Sequence, residues 1–350
     1  MATTRMFGAV ATLAVAGALT LTAAPALAAN SYVALGDSYS SGTGTRTYIN
    51  DGTSCQRSVY AYPSLIAASK GLTLNFRACS GAKVADVTST QLSALSASTT
   101  HVTISVGGND AGFADVLTEC AQPGWMSDCN GAIDTAQGLI NNTIPGRLST
   151  LYASIKSKAP NAKVVVVGYP RIFQGEDCNA FTWFSPAEET RLNQTADLLN
   201  SKTSAQAAAK GFTFANPTSR FVGHAVCDDV EWLNGLSNPV GESYHPNIAG
   251  HRDGYTPTVS TPLTGSAVKV SKATLTTAAA NRDAMARQQR TYAAADSAIS
   301  PERVLVPDLT SARAKAAAAR AGVDLGSRAS IDAADRLWSQ RQAAEHAATH

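Results

Sequence analysis

Five residues in the middle of the chain restrict its fold more than any others. Lys163–Val164–Val165–Val166–Val167 is an almost unbroken β-branched run that stops at Gly168. β-Branched side chains favour extended backbone. A strand that is apolar at every position, instead of at alternate ones, has both faces covered. The run therefore asks for a parallel sheet with helices packed above and below it.

The chain up to about residue 255 fits that demand. Residues 32–35 and 102–106 read as further strands, and residues 212–214 as a shorter one near the far edge. Helical patterns fall between them. They cover residues 60–69 (with Pro63 in the first turn), 85–95 and 144–158, then a long helix opened by Ser185–Pro186–Ala187–Glu188. Ser at the cap and Pro at the first helical position are strong start signals. This alternation predicts an α/β fold, a three-layer α/β/α sandwich around a central parallel sheet. Sites in such sheets form at the carboxyl ends of the strands.

Two flanking segments stand apart. Arg5 precedes an apolar stretch over residues 9–21, followed by the small-residue cleavage pattern Ala26–Leu27–Ala28. The stretch is rich in Ala, Gly and Thr, whereas a spanning helix needs about 20 strongly apolar residues. Residues 1–28 thus read as a secretory signal peptide, and the protein as secreted, without stable membrane insertion. Residues 29–258 read as the main domain, and residues 259–350 as an Ala-rich extension, helical or partly disordered, of unassigned role. Within the extension, Ser300–Pro301–Glu302 and Ser330–Ile331–Asp332 look like helix starts, and Gly322 and Gly326 like breaks. Its large apolar residues are few: Leu305, Leu309, Leu325, Ile331, Leu337 and Trp338.

Charge and cysteines exclude several functions. The formal net charge is +2, and no block of Lys and Arg interleaves with aromatics, so a nucleic-acid partner is not expected. A monomer is expected. Six cysteines, Cys55, Cys79, Cys120, Cys129, Cys178 and Cys227, in an exported chain imply disulfides. Sequential pairing is the working expectation, although sequence leaves the connectivity open. Cys120 and Cys129 bracket a loop with Pro123, Gly124 and Trp125 that closes easily. No cysteine pair has zinc-ligand spacing with nearby histidines, so no metal and no cofactor are expected.

The candidate chemistry lies where strands end. Ser38 follows the first strand through Gly36–Asp37, Asn109 follows another through Gly107–Gly108, and His245 lies in Tyr244–His245–Pro246–Asn247. Each cluster alone is ordinary turn composition. Together they supply a hydroxyl nucleophile, a neutral amide donor and an imidazole, the parts of an acyl-transfer site. A helix starting just after Ser38 would aim the Ser38 N–H at an anion. Gly81, in Cys79–Ser80–Gly81–Ala82, could bring another N–H close. Of the other histidines, His101 and His224 read as structural, His251 lies in a polar run, and His346 and His350 lie in the tail. A general base needs a partner on its second nitrogen. Glu242, three residues before His245, offers a carboxylate, and a backbone carbonyl at Glu242 or Ser243 is the competitor.

Gly36–Asp37–Ser38, Gly81, Gly107–Gly108–Asn109–Asp110 and His245–Pro246–Asn247 occur in the order of the SGNH, or GDSL-type, hydrolases. Over about residues 30–255 the chain resembles the secreted esterases and lipases of actinomycetes. The resemblance implies Ser38 as nucleophile, His245 as base and an oxyanion hole from Ser38 N–H, Gly81 N–H and the Asn109 side chain. It also implies disulfides 55–79, 120–129 and 178–227. Many members of the family place Asp where this chain has Glu242, and some of the actinomycete branch use a backbone carbonyl instead. The expected function is a secreted serine esterase or lipase acting on a small-molecule or lipid ester. A polysaccharide acetylesterase is the alternative, and a non-catalytic surface-binding protein on the same scaffold comes after it. Loops 111–142 and 171–184 hold Phe113, Trp125, Phe173, Phe181, Trp183 and Phe184, an aromatic set that would suit an acyl chain.

Overall fold

The structure, a computed structural model, describes residues 1–4, 6, 8 and 30–349. The signal-peptide reading of residues 1–28 lies almost wholly outside the described residues. Five parallel strands form one sheet: β1 (Ser31–Gly36), β2 (Thr73–Phe76), β3 (His101–Ser105), β4 (Lys163–Val167) and β5 (Thr213–Ala215), in the order β2-β1-β3-β4-β5. Val164 to Val167 are all buried, as a strand covered on both faces requires. Helices Tyr62–Lys70 and Thr256–Thr264 pack together against the sheet, and Ile144–Lys158 and Pro186–Ala209 form a second packed group. The result is the α/β/α sandwich.

The order β2-β1-β3 puts the reversal of winding between β1 and β3. The connections that leave their carboxyl ends turn to opposite faces of the sheet there and leave a crevice. Gly36, the last residue of β1, pairs with Ser105, the last of β3. Its φ of +125° and the Ser105 carbonyl, 2.3 Å from where a Cβ would sit, leave room only for glycine. On the other side β2 has already stopped, and the Gln91 side chain takes its place. Its amide accepts from Gly36 N–H at 2.8 Å and donates to Gly36 O at 2.9 Å. This holds the strand end that precedes Ser38.

Several expected elements changed on folding. The edge strand β2 carries no long apolar run, and only Phe76 of its four residues is buried. The helix expected over residues 85–95 is one α-helical turn, Val84–Asp86, followed by a widened turn, Val87–Gln91, and a tight one, Leu92–Ala94. The extension is ordered and helical over Lys272–Ala280, Arg282–Arg290, Ala312–Ala321 and Arg328–Thr349. Gly322 ends one of these helices in the left-handed conformation. The helix start at Ser300–Pro301–Glu302 is overturned, because the chain forms no helix there. Val304 and Val306 disfavour the helix, and Pro307 would end it within two turns.

Disulfides join Cys55 to Cys79, Cys120 to Cys129 and Cys178 to Cys227. Among the described residues no helix is long and apolar enough to cross a membrane.

Candidate active site

Ser38 opens a single helical turn, Ser38–Ser41, capped by Asp37. The Asp37 carboxylate accepts from Tyr39 N–H (3.0 Å), Ser105 Oγ (2.9 Å) and Tyr169 Oη (2.5 Å). Asp37 thereby ties the turn to β3 and to the end of β4. Burial pushes its carboxyl up to about 6, and the bonds from Tyr169 and Ser105 pull the other way. Asp37 therefore organises the turn, at the edge of the pocket that Ser38 faces.

His245 arrives from the opposite rim. Tyr244 sits at φ +59°, a strained conformation for a residue with a side chain, and three restraints hold it there. The Tyr39 hydroxyl donates to Tyr244 O at 2.6 Å, Tyr244 N–H donates to Asn234 O at 2.9 Å, and its ring packs on Phe173 and Phe184. The next residue is thereby aimed at Ser38. His245 Nε2 lies 2.8 Å from Ser38 Oγ, and His245 Nδ1 lies 2.8 Å from Ser243 O. A carbonyl can only accept, so Nδ1 carries the hydrogen and Nε2 presents its lone pair to the Ser38 hydroxyl. Burial lowers the imidazole from 6.5 to about 4, against a smaller upward pull from Ser243 O. At neutral pH the ring is a neutral base.

Gly81 and Asn109 face the same pocket as Ser38 and His245. Two clamps set their relative position. Asn109 Nδ2 donates to Ala82 O (3.0 Å), and Val84 N–H donates to Asp110 Oδ2 (2.9 Å). Arg147 holds the other oxygen of Asp110 at 3.1 Å. Gly81 has φ +84°, which carries the Ser80–Gly81–Ala82 backbone past the pocket without a side chain. Beyond these polar groups the pocket continues between apolar walls that include Ala114, Leu117, Ile140, Phe173, Leu192 and Leu199.

The structure corrects two expectations at this site. The Glu242 side chain does not orient His245. Its carboxylate is buried and turned toward Tyr48 (2.6 Å) and Arg46 (3.4 Å), and the Ser243 carbonyl occupies the place behind the ring. Glu242 ends a tight turn whose cap is Ser243, and that turn points its carboxylate away from the imidazole. Of the six aromatic residues expected near the acyl site, only Phe113 and Phe173 line the pocket. Trp125 and Trp183 pack instead with Ala317, Ala318 and Ile331 of the extension, Phe184 is core, and Phe181 is exposed.

The other described histidines are engaged elsewhere. His101 bonds Thr100, and His224 stacks on Trp232 at 3.7 Å. His251 is wholly buried against Tyr62 and Tyr255. Sequence reasoning missed Tyr39 and Tyr169. Tyr169 had a usable signal, because it lies just past the carboxyl end of the β4 run, where such sheets place functional groups.

The sequence model of the GDSL-like Lipase/Acylhydrolase family matches residues 34–252. Lipase 1 of Streptomyces coelicolor is 46% identical over 250 residues, which cover 71% of this chain and 92% of that protein. A lipase of Streptomyces rimosus is 43% identical over the same shares. Among solved structures, the extracellular lipase of Streptomyces rimosus superposes with a TM-score of 0.63 at 41% identity, covering 67% of this chain and all of that one. Phospholipase A1 of Streptomyces albidoflavus gives 0.63 at 40% identity, covering 67% and 99%.

Proposed function

The chain belongs to the GDSL-like lipase/acylhydrolase family and is a carboxylic ester hydrolase, and from that premise we propose that it is a secreted lipid esterase working through a Ser38 acyl-enzyme. The observation that carries the proposal is the chain Ser38 Oγ, His245 Nε2, His245 Nδ1, Ser243 O, linked by two contacts of 2.8 Å.

Ser38 Oγ attacks the ester carbonyl carbon while His245 Nε2 takes the hydroxyl proton. The carbonyl oxygen becomes an oxyanion, held by the N–H groups of Ser38 and Gly81 and by the Asn109 amide. A single donor of this kind is worth about 10²–10³ in turnover. Collapse of the intermediate expels the alcohol, which receives the proton from His245, and leaves an acyl-Ser38 ester. Water, deprotonated by His245, then attacks that ester and releases the acid and the free serine. The Ser243 carbonyl keeps the imidazole in the required tautomer throughout.

The apolar walls of the pocket beside Ser38 support an acyl chain over acetyl as the group that is transferred. An exported setting is supported by the three disulfides and by the similarity to an extracellular lipase. The proposed domain limits are 29–258 and 259–350, and the family match over residues 34–252 lies within the first. Ser38→Ala is expected to lower kcat on p-nitrophenyl esters on the order of 10⁴–10⁶ with little change in melting. Hydrolysis by that variant at the wild-type rate would overturn the proposal.

A further inference from the structure

The extension does more than sit beside the sheet. At one end Asp296 is fully buried against Arg57 and Arg77, with Ile299 buried close behind. At the other end Leu309, Ala317, Ala318 and Ile331 pack on Trp125 and Trp183 of the catalytic domain. The stretch between these anchors has to cross the sheet's carboxyl edge, and it crosses at the candidate active site. The Ser300 carbonyl and Pro301 Cα lie 2.2 and 2.7 Å from where a Cβ on Gly81 would be. Glu302 pairs with Lys83 at 2.7 Å, and Glu302 and Val304 both line the catalytic pocket. Beneath this stretch Ser38 is only 6% exposed.

We infer that residues 300–306 form a strap, tethered at both ends, that gates entry to the acyl pocket: small esters reach Ser38 with the strap in place, and long acyl chains require its displacement. The inference rests on Ser38 as the nucleophile. The Ser38–His245 pair is already assembled under the strap, so its movement serves access and not assembly of the site. The strap is also built to move. Among the described residues, its backbone makes one hydrogen bond to the rest of the chain, from Leu305 N–H to Thr118 Oγ1. Leu305 and Val306 are 62% and 46% exposed. Val304 is the one buried side chain of the strap, and sparse bonding with so few buried contacts marks a segment that opens at low cost. The family match covers residues 34–252, so the strap lies outside the part of the chain that it describes.

The test replaces residues 300–307, in the full chain, with a Gly/Ser stretch of about twice the length, which leaves both anchors in place. A closed strap that is open for about a tenth of the time or less gives a rise of about tenfold or more in kcat/KM on p-nitrophenyl palmitate once it is slack. The rate on p-nitrophenyl acetate is expected to change far less. Glu302→Lys, which sets two like charges together at Lys83, is expected to move the long-chain rate the same way in an otherwise unaltered chain. Fluorophosphonate labelling of each protein reports Ser38 independently. Labelled variants with unchanged long-chain rates overturn the strap alone. Absence of labelling in the wild type overturns the serine mechanism, and this inference with it.

Discussion

At the back of His245 a carboxylate and a carbonyl were both in reach of the sequence, and the local turn decides between them. Glu242 is occupied by Tyr48 and Arg46, while Ser243 O bonds Nδ1. Glu242→Gln keeps an acceptor for the Tyr48 hydroxyl and removes the charge. It is expected to retain kcat within about tenfold, against the roughly 10⁴-fold loss seen when a true orienting carboxylate is replaced. A loss near the larger figure, with melting unchanged, would return the role to Glu242. The desolvated imidazole makes a second expectation. His245 works as a base only when neutral, and burial lowers its titration from 6.5 to about 4. A pH profile of kcat/KM on a soluble ester should therefore run level down through 6.5 and fall only toward about 4. A break at the ordinary imidazole value would contradict it. The same ring contributes to stability with a definite sign. Between pH 6.5 and about 4 the unfolded chain binds a proton that the folded ring refuses, so its contribution is lost as pH falls through that window.

Elements were legible where one local signal was strong and no distant partner was needed. The helix Pro186–Ala209 begins where Ser185, Pro186 and Glu188 say it should, with the reciprocal cap formed. The strand Lys163–Val167 matches its β-branched run residue for residue. The Ser38 turn, the Asn109 turn and the His245 loop stood out in the sequence because each follows an apolar run or precedes a proline. What sequence could not give was convergence. That Tyr169 bonds Asp37, that Gln91 closes the end of β1, and that Trp125 and Trp183 face the extension instead of the acyl cavity all depend on contacts across long stretches of chain. The strap shows the same limit from the other side. Ser300–Pro301–Glu302 has helix-start chemistry, yet the anchors at either end, with Val304, Val306 and Pro307, keep it from forming a helix.

Across the whole molecule, one carboxylate joins the extension to the catalytic core. Asp296 binds Arg57 at 2.6 Å and Arg77 at 2.7 Å, and Asp51 binds Arg57 at 2.7 Å, so two cations and two anions balance in the interior. Asp296→Asn leaves that group with one excess positive charge and is expected to cost about 3–5 kcal/mol. A shift of the urea midpoint, with the denaturant slope unchanged, measures the cost, and a neutral result would mean that water reaches the arginines. The position of Asp296 in the chain has a further consequence, in time. Arg57 and Arg77 leave the ribosome more than two hundred residues before their counter-ion. A chain halted anywhere before residue 296 carries two guanidiniums in what should become its core, with only Asp51 to balance them. The enzyme therefore reaches its finished state only late in its own synthesis, and a chain made to cross a membrane unfolded has a reason, written into its last third, to stay so until nearly all of it is through.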